Sequence, residues 1–161
     1  MGKKYELTTD TKIRFGRKLF RIKALVSFGN VKAGELGGYV EDEKNLSQNG
    51  DAWVCDNAEV CDNARVYDNA WVCGNARVCD NADYVCAKGL GSACRSTTFF
   101  KCKNGDIGVA CGCFNGNLEE FAKKVKDTHG DSKYAKEYLA MIEVVKIHFE
   151  WEDNDDNERG V

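Results

Sequence analysis

The sequence predicts a mainly β chain built around a coil of very short strands, and three observations carry that prediction. From Val54 it reads VCDNAE, VCDNAR, VYDNAW, VCGNAR, VCDNAD, five six-residue units without a gap. Proline is absent from all 161 residues, where ordinary usage of ~5% would supply about eight. That suits a backbone hydrogen-bonded strand by strand along most of its length. Finally, Asn104-Gly105-Asp106 sits between two apolar runs, a strong hairpin signal.

The repeat fixes the centre of the chain. Val54, Val60, Val66, Val72 and Val78 hold the first place of each unit, and Ala58, Ala64, Ala70, Ala76 and Ala82 the fifth. A period of six is neither the 3.6 of a helix nor the alternation of one strand. Each unit is a short strand, Ala-x-Val-x, followed by Asp-Asn or Gly-Asn, whose Asn and Gly tolerate the left-handed backbone of a sharp corner. Strand, corner, strand describes the side of a prism, with Val pointing inward and Ala fitting beside the corner. Upstream, Val40 and Leu46 fit one step, but Leu46 to Val54 is eight residues. An irregular first coil with a two-residue insertion is therefore expected.

The flanks should cap this coil. Over residues 4–27, Lys12–Phe15 and Lys18–Ser27 read as hairpin strands around Gly16-Arg17, with Phe20, Ile22, Ala24 and Val26 alternating with Arg21, Lys23 and Leu25. The glycine-rich run 33–40 leads into the coil. After it, Thr97–Lys103 and Ile107–Phe114 form the second hairpin. Asn117 reads as a helix N-cap, with Glu119 and Glu120 favourable to the helix dipole. Leu118, Phe121, Ala122 and Val125 give that helix its apolar face up to His129-Gly130. A second helix starts near Asp131 or Ser132, with Tyr134, Tyr138, Met141, Ile142, Val145 and Phe149 as its stripe. The expected organisation is an N-terminal β cap over 1–39, the repeat over 40–90, a hairpin and two-helix unit over 91–150, and an acidic tail over 151–161.

Val-x-x-x-Ala-x units resemble the hexapeptide repeat of left-handed parallel β-helices. The resemblance implies a short left-handed parallel β-helix in which three hexads close one triangular coil. Residues eighteen apart then stack at the ~4.8 Å spacing of paired strands: Trp53 on Trp71, Glu59 on Arg77, Arg65 on Asp83, Cys55 on Cys73 and Cys61 on Cys79. The combination of GELGGYVE, NLS, the hexads, TTFF, CGCF, LEEF and THGDSKYAKEYL further resembles a family of uncharacterised proteins from phages and prophages of Firmicutes. In that family tyrosines often stand where Cys55, Cys61, Cys73 and Cys79 stand here.

Composition bounds the function. Hydrophobic residues make up 43% and charged residues 30%, a foldable balance. No window approaches the ~18 apolar residues of a membrane span, and the N-terminus lacks the apolar run of a secretion signal. A cytoplasmic location in a host cell, without membrane contact, is the expectation. Nine cysteines, an odd number, argue against a disulfide framework and for mostly reduced thiols. The formal charge is −3 but unevenly placed: residues 1–33 carry nine Lys and Arg against Glu6 and Asp10, whereas the tail from Glu150 is acidic.

Chemistry is sparse. An acyltransferase of the hexapeptide type would use a coil histidine as general base, yet His129 and His148 both lie outside the repeat. Cys86, Cys94, Cys102, Cys111 and Cys113 gather near the second hairpin, but Cys111-Gly112-Cys113 is tighter than the Cys-x2–4-Cys pairs of structural zinc. Small buried thiols are the simpler reading, and a Cys113–His129 nucleophile pair is weaker still. No cofactor, metal or catalytic residue is assigned.

With catalytic groups lacking, the resemblance to phage and prophage proteins implies a non-enzymatic accessory protein that binds a host protein or ribonucleoprotein complex. The setting of the resembled family makes a steric inhibitor of an antiviral defence, such as an anti-CRISPR, the specific expectation. Candidate partner-binding residues are Trp53 and Trp71 as an outward aromatic column, the basic hairpin residues Arg14, Arg17 and Arg21, and the acidic corners Asp56, Asp62 and Asp68. The aromatic column could equally pack on the chain's own flanks. Direct nucleic-acid binding is disfavoured, since it needs aromatic platforms or a groove. The resemblance also suggests a homotrimer. The rival readings are an acyltransferase and a self-assembling structural protein.

Overall fold

The computed structural model describes residues 2–92, 95–112 and 114–150. Among the described residues eleven strands and two helices follow one another: β1 (Tyr5–Arg14), β2 (Arg17–Ala24), β3 (Leu36–Val40), β4 (Trp53–Val54), β5 (Glu59–Val60), β6 (Trp71–Val72), β7 (Arg77–Val78), β8 (Tyr84–Leu90), β9 (Arg95–Lys101), β10 (Ile107–Cys111), β11 (Phe114–Asn117), α1 (Leu118–His129) and α2 (Lys133–His148). Single 3₁₀ turns occupy Glu43–Asn45 and Asn81–Asp83. The expected acidic tail, 151–161, lies outside the described residues.

The expected fold class, a short left-handed parallel β-helix with separate caps, is overturned. The strands lie in a mixed five-stranded sheet (β1-β2-β3-β5-β7), an antiparallel four-stranded sheet (β11-β10-β9-β8) and a parallel two-stranded sheet (β4-β6). No single parallel β-helix is evident among the described residues. The reason lies in strand length. The strands of the repeat are two residues long and Val66 makes only an isolated bridge, too little for a long parallel ladder. The N-terminal hairpin then joins through β2 antiparallel to β3, which converts the largest sheet into a mixed one.

Local register within the hexads follows the side-chain pattern. Trp53 pairs with Trp71 and Val54 with Val72, while Glu59 pairs with Arg77 and Val60 with Val78, all in parallel. Before the repeat the offset is two residues longer, since Val40 pairs with Val60 and Leu46 bridges to Val66. The additional pair therefore falls between Leu46 and Trp53. Val54, Val60, Val66, Val72 and Val78 are buried with Ala58, Ala64, Ala70 and Ala76, and together with Leu46 and Trp53 they form the main core.

The corners differ in one respect from the expectation. The left-handed residue is the Asp that precedes Asn: Asp56, Asp62 and Asp68 have φ of 55, 54 and 57°, and Gly74 at the fourth corner has 62°. Arg65 and Asp83 form no ion pair. The Asp83 carboxylate turns back to accept from the Cys79 and Asp80 amides at 2.9 and 3.1 Å, ending the repeat in a capped 3₁₀ turn, and Lys101 takes its charge.

β9 and β10 form a layer between the repeat and the helices. Phe100 and Ala110 face the main core, while Phe99, Ile107 and Val109 pack with Leu118, Phe121 and Val125 of α1 and with Tyr138, Ile142 and Val145 of α2. Asn117 caps α1 in a reciprocal box with Glu120, Gly130 ends it with φ 58°, and Ser132 caps α2. No described helix is long and apolar enough to cross a membrane.

Candidate functional site

The N-terminal hairpin does more than cap. β1 and β2 turn at Phe15 and Gly16, both with positive φ (51 and 76°), one residue earlier than expected, so Arg14 pairs with Arg17. Two positive-φ residues give the twist that a two-residue hairpin needs. Between Leu7 and Thr11 the register slips, a bulge that bends the outer half of the hairpin. The bent half lies over the outer face of β5 and β7, where Leu19 packs on Tyr39, Cys61 and Cys79.

Glu59 sits beneath this lid. Outward-facing by its hexad place, it is nevertheless only 1% exposed. Its Oε2 lies 2.6 Å from Lys12 Nζ, 3.0 Å from Arg14 Nε and 3.0 Å from Lys103 Nζ, and its Oε1 3.4 Å from Arg77 Nε. Burial alone would push this carboxyl up; hydrogen bonds from Lys12, Lys103 and Arg14 more than reverse that and hold it at about 2. Four cations thus surround one anion, leaving a local excess of positive charge.

Aromatic rings complete the surface. Phe15, 82% exposed at the hairpin tip, has the Arg77 guanidinium 5.0 Å from its ring centroid. Lys12 lies 4.0 Å and Arg21 4.5 Å from the Tyr39 centroid. Arg21 is further fixed by Asp10, the Gly37 carbonyl, the Tyr39 hydroxyl and Asn57. A row of cations interleaved with aromatic rings, anchored on a buried carboxylate, is a preorganised surface for an anionic partner.

The residues singled out from sequence are divided by the fold. Arg14 joins the Glu59 cluster. Arg17 holds Glu41 at 3.0 Å and Asp62 at 3.3 Å, so one basic and one acidic candidate neutralise each other. Glu41 is held below the ordinary carboxyl range, chiefly by the Asp62 amide. Asp56 accepts from the Gly74 amide at 3.0 Å, joining successive corners, and Asp68 is an exposed corner. The outward aromatic column is not formed: Trp53 is fully buried under edge-on Tyr5 and Phe28, centroids at 6.4 and 5.3 Å, and Trp71 is half-buried with Nε1 donating to the Asp51 carbonyl. Lys12, Phe15, Glu59, Arg77 and Lys103 escaped selection. Only the Glu59–Arg77 stack pointed toward them, because the bend that brings Lys12 down has no sequence signature.

The thiols also differ from expectation. Cys55 and Cys73 form a disulfide, so the reading of mostly reduced cysteines fails at this pair. With Asp56 these two make the one metal-like grouping among the described residues, and their sulfurs are already bonded to each other. Cys86 bonds to Thr98 and Cys111 to Thr97, while Cys102 packs on the main core, so these three share no centre. Burial raises the Cys86 and Cys102 thiols, the latter to about 11. Cys94 and Cys113 lie outside the described residues. His129 stacks on Tyr138 at 5.9 Å in a cavity of about 630 Å³ shared with Cys111, Phe114 and Phe121.

The chain matches no known family model, and no curated protein matches it.

Proposed function

We propose that the protein is a non-enzymatic binding protein that docks on an anionic surface of a host protein or ribonucleoprotein complex and acts by steric occupation. The observation that carries this reading is the Glu59 cluster. Lys12, Arg14, Arg77 and Lys103 converge on one buried carboxylate, and the exposed Phe15 ring stands against Arg77. Arginine and aromatic residues are enriched in interface hot spots, and a fixed array of them loses little freedom on binding. The finer version, inhibition of a host antiviral complex, rests on the resemblance to phage proteins.

The test uses two defined polyanions, labelled poly-L-glutamate and a labelled single-stranded RNA, titrated by fluorescence anisotropy at low and high salt. Binding to at least one is expected, weakening as salt rises. Arg14→Glu combined with Phe15→Ala should weaken it by at least about tenfold. The Glu-polymer and RNA arms tell an acidic protein surface from a nucleic-acid one. A folded protein that binds neither at low salt overturns the reading.

A further inference from the structure

The cysteines recur at one hexad place, directly after the inward Val, on neighbouring strands. Cys55 and Cys73 follow the paired residues Val54 and Val72, and they are disulfide-bonded with Cα atoms 4.6 Å apart. Cys61 and Cys79 follow Val60 and Val78, which pair in the same parallel fashion. Their Sγ atoms are 2.7 Å apart, against the ~2.05 Å of a disulfide bond. Backbone bonds fix the register on both sides, from the Cys61 amide to the Val78 carbonyl at 2.9 Å and from the Asn63 amide to the Cys79 carbonyl at 3.3 Å.

We infer that Cys61 and Cys79 are a second oxidation site, closing an inter-strand disulfide that ties β5 to β7 beneath the N-terminal hairpin, the counterpart of Cys55–Cys73 between β4 and β6. The inference is independent of the docking surface proposed above.

Access sets the order of steps. Cys61 is 7% exposed under Leu19 and Tyr39, whereas Cys79 is only half-buried. Burial pushes the Cys61 thiol up to about 12, so it is a poor first nucleophile. With glutathione disulfide as oxidant, the Cys79 thiolate attacks one glutathione sulfur and releases one glutathione. The Cys61 sulfur then attacks the Cys79 sulfur of the mixed disulfide and releases the second. Two protein thiols lose two electrons, glutathione disulfide gains them, and the two thiol protons end on the two glutathiones.

Peptide mapping of the full chain tests this. Trypsin cuts after Lys44, Arg65, Arg77 and Lys88, giving 45–65 with Cys55 and Cys61, 66–77 with Cys73, and 78–88 with Cys79 and Cys86. The reduced protein is treated with glutathione disulfide, then denatured, alkylated and digested without reductant. The expected product is one cross-linked species of all three peptides, with alkylation of Cys79 reduced at least about tenfold. Cys86→Ser should leave 78–88 attached, and Cys79→Ser should release it. Recovery of 78–88 free, with Cys79 alkylated, overturns the inference whatever the state of Cys55–Cys73. So does its retention in Cys79→Ser.

Discussion

At the corners of the repeat one residue type carries the geometry. Asp56, Asp62 and Asp68 hold the left-handed backbone that Gly74 holds at the fourth corner. Asp tolerates this region because its side chain is short and unbranched at Cβ, whereas a β-branched residue meets its own backbone there. Asp68 is exposed, which isolates the backbone effect. Asp68→Val should therefore cost about 1–2 kcal/mol in urea unfolding, while Asp68→Gly should stay within about 0.5 kcal/mol of the parent. Glu59 works in the opposite way, through charge. Its carboxyl is depressed from 4.5 to about 2 in the fold. Its stabilisation is thus complete above about pH 4.5 and lost as pH falls toward 2. Removing the carboxylate leaves Lys12, Arg14, Arg77 and Lys103 facing one another, three of them 22–27% exposed. Loss of one partner from a buried pair costs ~3–5 kcal/mol, and water reaching these cations reduces that, so Glu59→Gln should lose about 2 kcal/mol at pH 7. Urea midpoints measured at pH 7, 4 and 3 should converge between parent and variant as pH falls.

Elements of this chain are short, and what positions them is close backbone approach. Gly37 and Gly38 are the second and third residues of β3, and a Cβ at Gly38 would lie 2.6 Å from the Ala58 carbonyl oxygen and 2.8 Å from Val54 Cγ1. The obstacle is largely backbone and cannot rotate away. Gly38→Ala should cost about 2–3 kcal/mol and lower the Tm by several degrees, checked by thermal unfolding. A change of that size in so small a side chain would show how closely β3 is seated on the hexads. The sequence makes part of this arrangement legible. The periodic Val and Ala places, the Asn117 cap, a second helix start at Asp131 or Ser132 and the Asn104-Gly105 turn follow from local rules, and the eighteen-residue pairing of Trp53 with Trp71 from the hexapeptide resemblance. What escapes is non-local. The N-terminal hairpin joins the sheet of β3, β5 and β7 and bends over it at the Leu7–Thr11 slip. That one event makes the sheet mixed and buries Glu59 under Lys12 and Arg14, while packing on Tyr5 and Phe28 encloses Trp53. Alternation within β1 and β2 does not encode where a slipped register turns its side chains. The outward hexad place of Trp53 is thus covered by Tyr5 and Phe28, and the cations that cover Glu59 form the surface.

Across the whole molecule, two hydrophobic clusters meet at a single layer, and its two faces decide whether the protein unfolds as one unit. Phe100 is 1% exposed on the repeat side of β9, and Phe99 is fully buried on the helix side. The Ala76–Cys102 bridge, the Lys103 amide on the Asn75 carbonyl at 2.9 Å, the Trp71 amide on the Thr98 hydroxyl at 3.0 Å and the Lys101–Asp83 and Lys103–Glu59 ion pairs join the same two layers through polar groups. Phe100 is then the main apolar link between the repeat and the C-terminal unit. Burying a phenyl ring contributes roughly 3–5 kcal/mol when its loss leaves a cavity. Phe100→Ala should destabilise by that amount, and it should also separate the transitions of the two layers. Tryptophan fluorescence in a Trp151→Phe background reports Trp53 and Trp71 of the repeat, while far-UV circular dichroism at 222 nm reports α1 and α2. In the parent the two urea curves should coincide. In Phe100→Ala they should part, the layer with the smaller residual core melting first. Coincident curves in the variant would mean that the polar bonds and ion pairs across the seam, and not the ring, couple the layers.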